Sequence, residues 1–295
     1  MLCRKNNRKE EGLRVVVTGA GVALRKGATL TYDSNVEPRL QAMVDLGIRG
    51  GQWVYVSRDL VAGEVTRTSC DLEVDATVEQ LQWRGVVDMS DVAPLRIASF
   101  DIEASGRRGV FPDANFDRVI MIAIHFDTVG LSEAPKPILL CLRECNPIEG
   151  AVVVVYADGQ EGHLIRDAAR IMGGEGYDCD MLTNWNGHNF DLPYLECRGK
   201  LFGVDRAFLG LMSRMKWSPT RIEEAFTMSA QTGRRQCNRV TMPGRLSCDM
   251  MVYVQQEGFR LPSFKLDAVA KAFLGDQKVT CSSILGPSLL CLWRI

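Results

Sequence analysis

The chain has 295 residues, 46% of them hydrophobic and 24% charged, with a formal net charge of −1; this is an ordinary globular composition and enough length for two domains. No apolar run approaches the ~20 residues of a membrane-crossing helix, and the polar start, MLCRKNNRKEEG, lacks the apolar stretch of a secretory signal. The near-neutral balance excludes a global basic field for nucleic acid, so any such contact must use local patches; Arg107-Arg108 and Arg234-Arg235 qualify, and each reads equally as a pair of surface arginines.

Short strands alternate with turns in the first part: Arg14 to Thr18, Thr29 to Tyr32 and Gln52 to Val56, with an amphipathic helix predicted over Asn35 to Leu46. Arg4, Lys5, Arg8 and Lys9 form a weak basic cluster, either a solvated tail or a nuclear signal. Val15 to Gly21 imitates a dinucleotide-binding turn around Gly19 and Gly21. Leu24, however, stands where the third glycine belongs, and Arg25 to Tyr32 read as turn and strand, so a β-hairpin fits better. Arg84 to Pro94 is a connection, with the domain boundary near Asp91.

From Leu95 the pattern becomes α/β. Leu95 to Glu103, Val119 to Phe126 and Ile138 to Leu142 are predicted strands, and Ala151 to Tyr156 is a candidate fourth. A helix is predicted over Gly162 to Met172, a strand over Met181 to Trp185 and a helix over Phe190 to Phe202. Gly233 to Arg245 is a loop or hairpin, Leu246 to Val254 a further element, and Phe264 to Leu274 a helix. Ten cysteines contain no Cys-x-x-Cys pair, which speaks against a zinc ribbon or iron–sulfur site and for reduced thiols in an intracellular protein. His125, His163 and His188 are too few and scattered for a metal site or a triad; His188 reads as a loop histidine.

The chemistry lies in Phe100-Asp101-Ile102-Glu103. Residues two apart on a strand share a face, so Asp101 and Glu103 project together. Adjacent carboxylates repel, and a hard divalent cation relieves that repulsion. Alone, Asp-x-Glu also describes a solvated strand end. A second acid, Asp191, opens the helix after Asn184 to Asn189, a run suited to a tight turn, where an acid is also favoured simply by the helix dipole.

Taken together, FDIEASGRRGVFP, NWNGHNFDLPYL, QTGRR and LPSFKLDAVAKAFLGDQK, in this order and spacing, resemble the exonuclease region of B-family DNA polymerases of the delta-like, replicative kind. Upstream, LTYDSNVEPRLQAMVDLGIRGGQWV resembles that family's N-terminal domain. The resemblance implies a ribonuclease-H-like α/β exonuclease domain over residues 92–279, a partial, mostly-β N-terminal domain over residues 1–91, and a divergent tail over residues 280–295. It implies 3′–5′ proofreading by two ions of Mg²⁺ or Mn²⁺, with Asp101, Glu103 and Asp191 as metal ligands and catalytic residues. Asp101 is then shared by both ions, Glu103 belongs to the ion that activates water and Asp191 to the ion at the leaving oxygen. Asn186 and Phe190 contact the single-stranded 3′ end. DNA and accessory polymerase subunits are the implied partners, the nucleus the implied compartment, and no membrane is involved. Asp249 falls where the family also carries an acid; it is not expected to hold metal, and either lies near the site or supports the structure.

The family's fourth carboxylate belongs to a Tyr-x-x-x-Asp helix beyond the segment that is here Leu274 to Lys278. The 17 residues after Lys278 contain neither tyrosine nor aspartate. A truncated chain without the polymerase palm and with impaired excision is therefore expected. The alternative is an inactive scaffold of the same fold that binds DNA or subunits.

Overall fold

The computed structural model describes residues 94–107, 110–130, 134–229 and 233–275, and before them residues 40–41, 43–44, 47, 55, 57–61, 67–70, 73–75, 77 and 80. The expected strands Arg14 to Thr18 and Thr29 to Tyr32, the Gly19 and Gly21 turn, and the chain from residue 276 onward lie outside the described residues. So does most of Gln52 to Val56 and of Arg84 to Pro94. Within Asn35 to Leu46, Leu40, Gln41, Met43 and Val44 are helical.

The chain divides into two compact units, one of residues 1–61 and 74–91, the other of residues 62–73 and 92–295. In the first, a 3-10 turn at Arg58–Leu60 precedes an antiparallel bridge between Val61 and Val74. The second carries β1 (Leu95–Ala104), β2 (Val119–Val129), β3 (Ile138–Leu142), β4 (Val152–Tyr156), α1 (Glu161–Met172), β5 (Met181–Asn184), α2 (Asp191–Leu201) and α3 (Asp205–Leu211). It continues with β6 (Arg221–Ser229), β7 (Gly233–Thr241), β8 (Leu246–Asp249), α4 (Met250–Gln256) and α5 (Leu266–Leu274).

Six strands form one sheet in the order β4-β3-β2-β1-β5-β8, while β6 and β7 pair with each other as a hairpin. β1–β2 and β2–β3 are antiparallel. β3–β4, β1–β5 and β5–β8 are parallel. This mixed α/β layout is the ribonuclease-H-like architecture expected. Val152–Tyr156 is a full fourth strand, so the strand beginning at Met181 is the fifth.

Period-two burial explains why β1 serves both core and site. Ala98, Phe100 and Ile102 are buried in the core, and Ser99, Asp101 and Glu103 take the opposite face. β2 adds Ile122, Ile124 and Phe126, and β3 adds Leu140 and Leu142. On α1 the apolar positions Leu164, Ile165, Ala168, Ala169 and Met172 recur at helical spacing, and all are buried in the same core with Leu192 and Leu195 of α2 and Phe208 of α3. Burying each such large side chain contributes about 1.5–3 kcal/mol. At one end of the sheet β4 leaves Val152, Val154 and Val155 exposed.

Candidate active site

Two irregularities of β1 create the site. The β1–β2 register shifts between Glu103 and Ala104, Glu103 facing Met121 and Ala104 facing Val119, so Ile120 is the extra residue of a bulge. Bulges bend a strand and re-aim the side chains beside them. On the other edge, the β1–β5 ladder runs only from Ile97–Met181 to Ser99–Thr183. Beyond it, the backbone of β1 has no β5 partner, and the Ile102 N–H donates instead to Asp191 Oδ1 at 3.2 Å. The chain thus returns from β5 through a tight turn and enters α2 with Asp191, its first residue, laid against β1.

Asp191 is only 2% exposed. Burial, and then the neighbouring charge of Asp101 and a hydrogen bond with it, push the Asp191 carboxyl up to about 8. The backbone donors, Ile102 N–H among them, pull the other way and lose. The two aspartates that the sequence places ninety residues apart are therefore in contact. Glu103 lies two positions along β1 from Asp101, on the same face, about 7 Å further on by strand geometry. Among the described residues no three His, Cys, Asp or Glu side chains are gathered into a metal-holding cluster.

The turn before Asp191 is held at several points. Asn186 has φ 63°, a left-handed conformation that asparagine tolerates better than most residues. Its N–H donates to Asp249 Oδ1 at 2.9 Å, the Gly187 N–H to Asn184 Oδ1 at 2.8 Å, and the His188 N–H to Asp249 Oδ2 at 3.3 Å. The Asn189 and Phe190 N–H groups then donate to the Asn186 carbonyl at 3.1 and 3.0 Å. From the hairpin, Asn238 donates its N–H to Asn189 Oδ1 and its side-chain amide to the His188 carbonyl. His188 lies in this turn, as expected of a loop histidine; its Nε2 is 2.8 Å from Ser247 Oγ, and burial lowers its pKa against the pull of Asp249.

Phe190 closes the turn between two rings, Phe111 at 5.3 Å, edge-on, and Tyr194 at 5.3 Å. Phe111 is 75% exposed and was not singled out from the sequence, although it lies inside the FDIEASGRRGVFP motif. The loop leading from it to β2 is braced by α2. The Tyr194 hydroxyl donates to the Asp117 carbonyl, and the Arg198 guanidinium to the Ala114 carbonyl. Arg198 also makes a two-pronged ion pair with buried Glu161 at 2.7 and 2.5 Å, while Glu161 accepts the Val119 N–H. Arg107 pairs with buried Asp117 and lies over the Phe116 ring.

The structure thus sets Asp101 beside Asp191, keeps Glu103 on the same face of β1 as Asp101, and places Phe190 immediately before Asp191 and Asn186 in the turn that leads into it. Asp249 is buried, with both oxygens committed to amides of the turn and of α4. Asn184 and Phe111 escaped sequence reasoning. Asn184 stands at the strand end where only the pairing of β5 with β8 reveals its role.

Residues 29–269 match the family described as DNA polymerase family B, exonuclease domain. Among curated proteins, the chain is 36% identical over 286 residues to the DNA polymerase delta catalytic subunit of Mesocricetus auratus, covering 91% of this chain and 24% of that protein. It is 36% identical over 284 residues to the same subunit of Bos taurus, covering 91% and 23%. For that of Dictyostelium discoideum the identity is 32% over 252 residues, covering 84% and 22%. The chain spans about a quarter of the length of the curated relatives it matches.

Proposed function

Since this chain belongs to the exonuclease domains of B-family DNA polymerases, we propose that it removes nucleotides from the 3′ end of single-stranded DNA by metal-dependent hydrolysis, as the proofreading unit of a delta-type polymerase. The observation that carries this reading is the contact between Asp101 and buried Asp191. Two carboxylates pressed together, with the Asp191 carboxyl pushed up to about 8 by burial and by Asp101, favour a proton or a cation between them. Such an all-oxygen donor set fits Mg²⁺ or Mn²⁺. Asp101, Glu103 and Asp191 would hold two ions, with Asp101 shared. Bound there, the ions would supply an activated water and charge stabilisation for the departing 3′ oxygen.

The chain's own residues supply position. The Ile102 N–H orients Asp191 toward β1. Phe190 and Phe111 offer rings to the terminal bases, and such stacking is worth about 1–3 kcal/mol per base regardless of sequence. That indifference suits an enzyme that must accept any terminal base. Asn186, one turn away, orients the same end. Accessory subunits and a nuclear location are proposed for the polymerase to which such a domain belongs, because the relatives are named DNA polymerase delta catalytic subunits.

The test is a 5′-labelled single strand incubated with the purified chain and Mg²⁺, then Mn²⁺. Slow stepwise shortening from the 3′ end is expected, impaired for want of the family's fourth carboxylate, stopped by EDTA and abolished by Asp101→Ala with Glu103→Ala at unchanged far-UV circular dichroism. Excision that survives in the double variant would place the active site elsewhere.

A further inference from the structure

We propose that Asn184 and Asp249 form a clamp on the active-site turn and act as positioning residues for the DNA 3′ end; this rests on the exonuclease reading above. Asn184 and Asp249 are the last residues of β5 and β8 and are Cα partners across that parallel ladder. Partners in register present their side chains to the same face. From there the two side chains accept three consecutive N–H groups, Asp249 those of Asn186 and His188, Asn184 that of Gly187 between them. With these side-chain oxygens as acceptors, the three amides need no backbone carbonyl.

Asp249 is itself anchored. It caps α4, accepting the N–H groups of Met251 at 3.1 Å and Val252 at 3.5 Å. With both oxygens taken by amides, it acts through the turn and not on the scissile bond. Asn184 is packed as tightly: a Cβ at Gly187 would lie 2.4 Å from its Cγ. Its Nδ2 is buried without a hydrogen-bond partner. A buried, unsatisfied donor is destabilising, a penalty that comes with the acceptor Asn184 offers to Gly187. Left-handed backbone at a non-glycine residue such as Asn186 is also less favourable than the right-handed region, though asparagine tolerates it better than most. The clamp holds the chain in that conformation by fixing the amides on either side.

Asp191 has its own anchor on β1, the Ile102 N–H. The clamp therefore governs Asn186 and Phe190, which meet the DNA, more than the acid that serves the chemistry. Loosening it should weaken engagement of the 3′ end and leave the limiting rate nearly intact.

The experiment uses the full chain with Asn184→Ala, which leaves the α4 cap in place, and Asp249→Asn as a second variant. Hydrogen exchange at amides 186–188 should quicken by at least about tenfold while β1 stays protected. Single-turnover excision of a single-stranded oligonucleotide should show half-saturation raised about tenfold with the limiting rate within about threefold, the mark of lost binding. Unchanged exchange at 186–188 in both variants would overturn the clamp. A fall in limiting rate at unchanged half-saturation would also overturn it, assigning these residues to the chemistry. If the parent chain excises nothing, the exonuclease reading fails, and exchange together with fluorescence anisotropy of a labelled oligonucleotide still decides the clamp.

Discussion

Asp191 is a carboxyl that folding places at a disadvantage. Its ordinary value is 3.8, and burial followed by Asp101 raises it to about 8 in the fold. Between these values the folded chain keeps a proton on Asp191 that the unfolded chain has released, so this group's contribution to metal-free stability is fully present below pH 4 and is lost as pH climbs toward 8. Thermal melts in EDTA should show that decline. Asp101→Asn removes the neighbouring charge, flattens the slope and raises the midpoint at pH 8; on the order of 1 kcal/mol corresponds to roughly 2–4 °C for a domain of this size. A lower midpoint would mean that Asp101 stabilises its neighbour. Gly187 poses a steric question instead. Gly187→Ala drives a methyl into the Asn184 side chain, and overpacking of this kind costs about 1–3 kcal/mol. Adding Asn184→Gly vacates the space, so in denaturant titrations the double variant should recover part of the loss. Strict additivity would contradict the contact.

Among elements, α2 does the most to join core and site. Its Arg198 forms the buried ion pair with Glu161 of α1 and reaches the Ala114 carbonyl in the loop behind Phe111. Removing one partner of a buried pair strands the other charge, at about 3–5 kcal/mol. Arg198→Ala should therefore be strongly destabilising by urea titration, whereas Arg198→Met with Glu161→Leu should lose far less. Equal losses would show that the loop bond to Ala114 matters more than the pair. β1 and the start of α2 were legible in the sequence because alternation and a helix-opening acid are local signals. The contact of Asp101 with Asp191 depends on β1 and β5 lying side by side, which neither acidic motif announces by itself. α3 and β6 carried no such signal: Asp205–Leu211 has only seven residues, and Arg221–Ser229 is interrupted by Glu223 and Glu224. Arg198 with Glu161, and Asn184 with Asp249, were invisible for another reason. Each pair is made by tertiary register, and no spacing in the chain announces it.

At the scale of the whole molecule, 35 basic residues face 36 acidic ones. A surface so balanced contacts few phosphates, and single-stranded DNA loses affinity by a log–log slope of about −0.7 for each one. Anisotropy titrations from low to moderate salt should give a slope near −2, and a slope steeper than about −5 would reveal a basic track that the balance of charge does not suggest. The open flank of the sheet has a different consequence. β4 is a run of four valines and a tyrosine at the sheet's end, with three of the valines facing water. Among the described residues no strand pairs with its outer row of amides and carbonyls, which is a template on which another extended chain can build. Concentrated solutions of the isolated chain should therefore scatter light and form β-rich aggregates, more so as salt weakens charge repulsion. Val154→Lys should suppress that clouding, and at an exposed position should move the melting free energy by no more than about 0.5 kcal/mol.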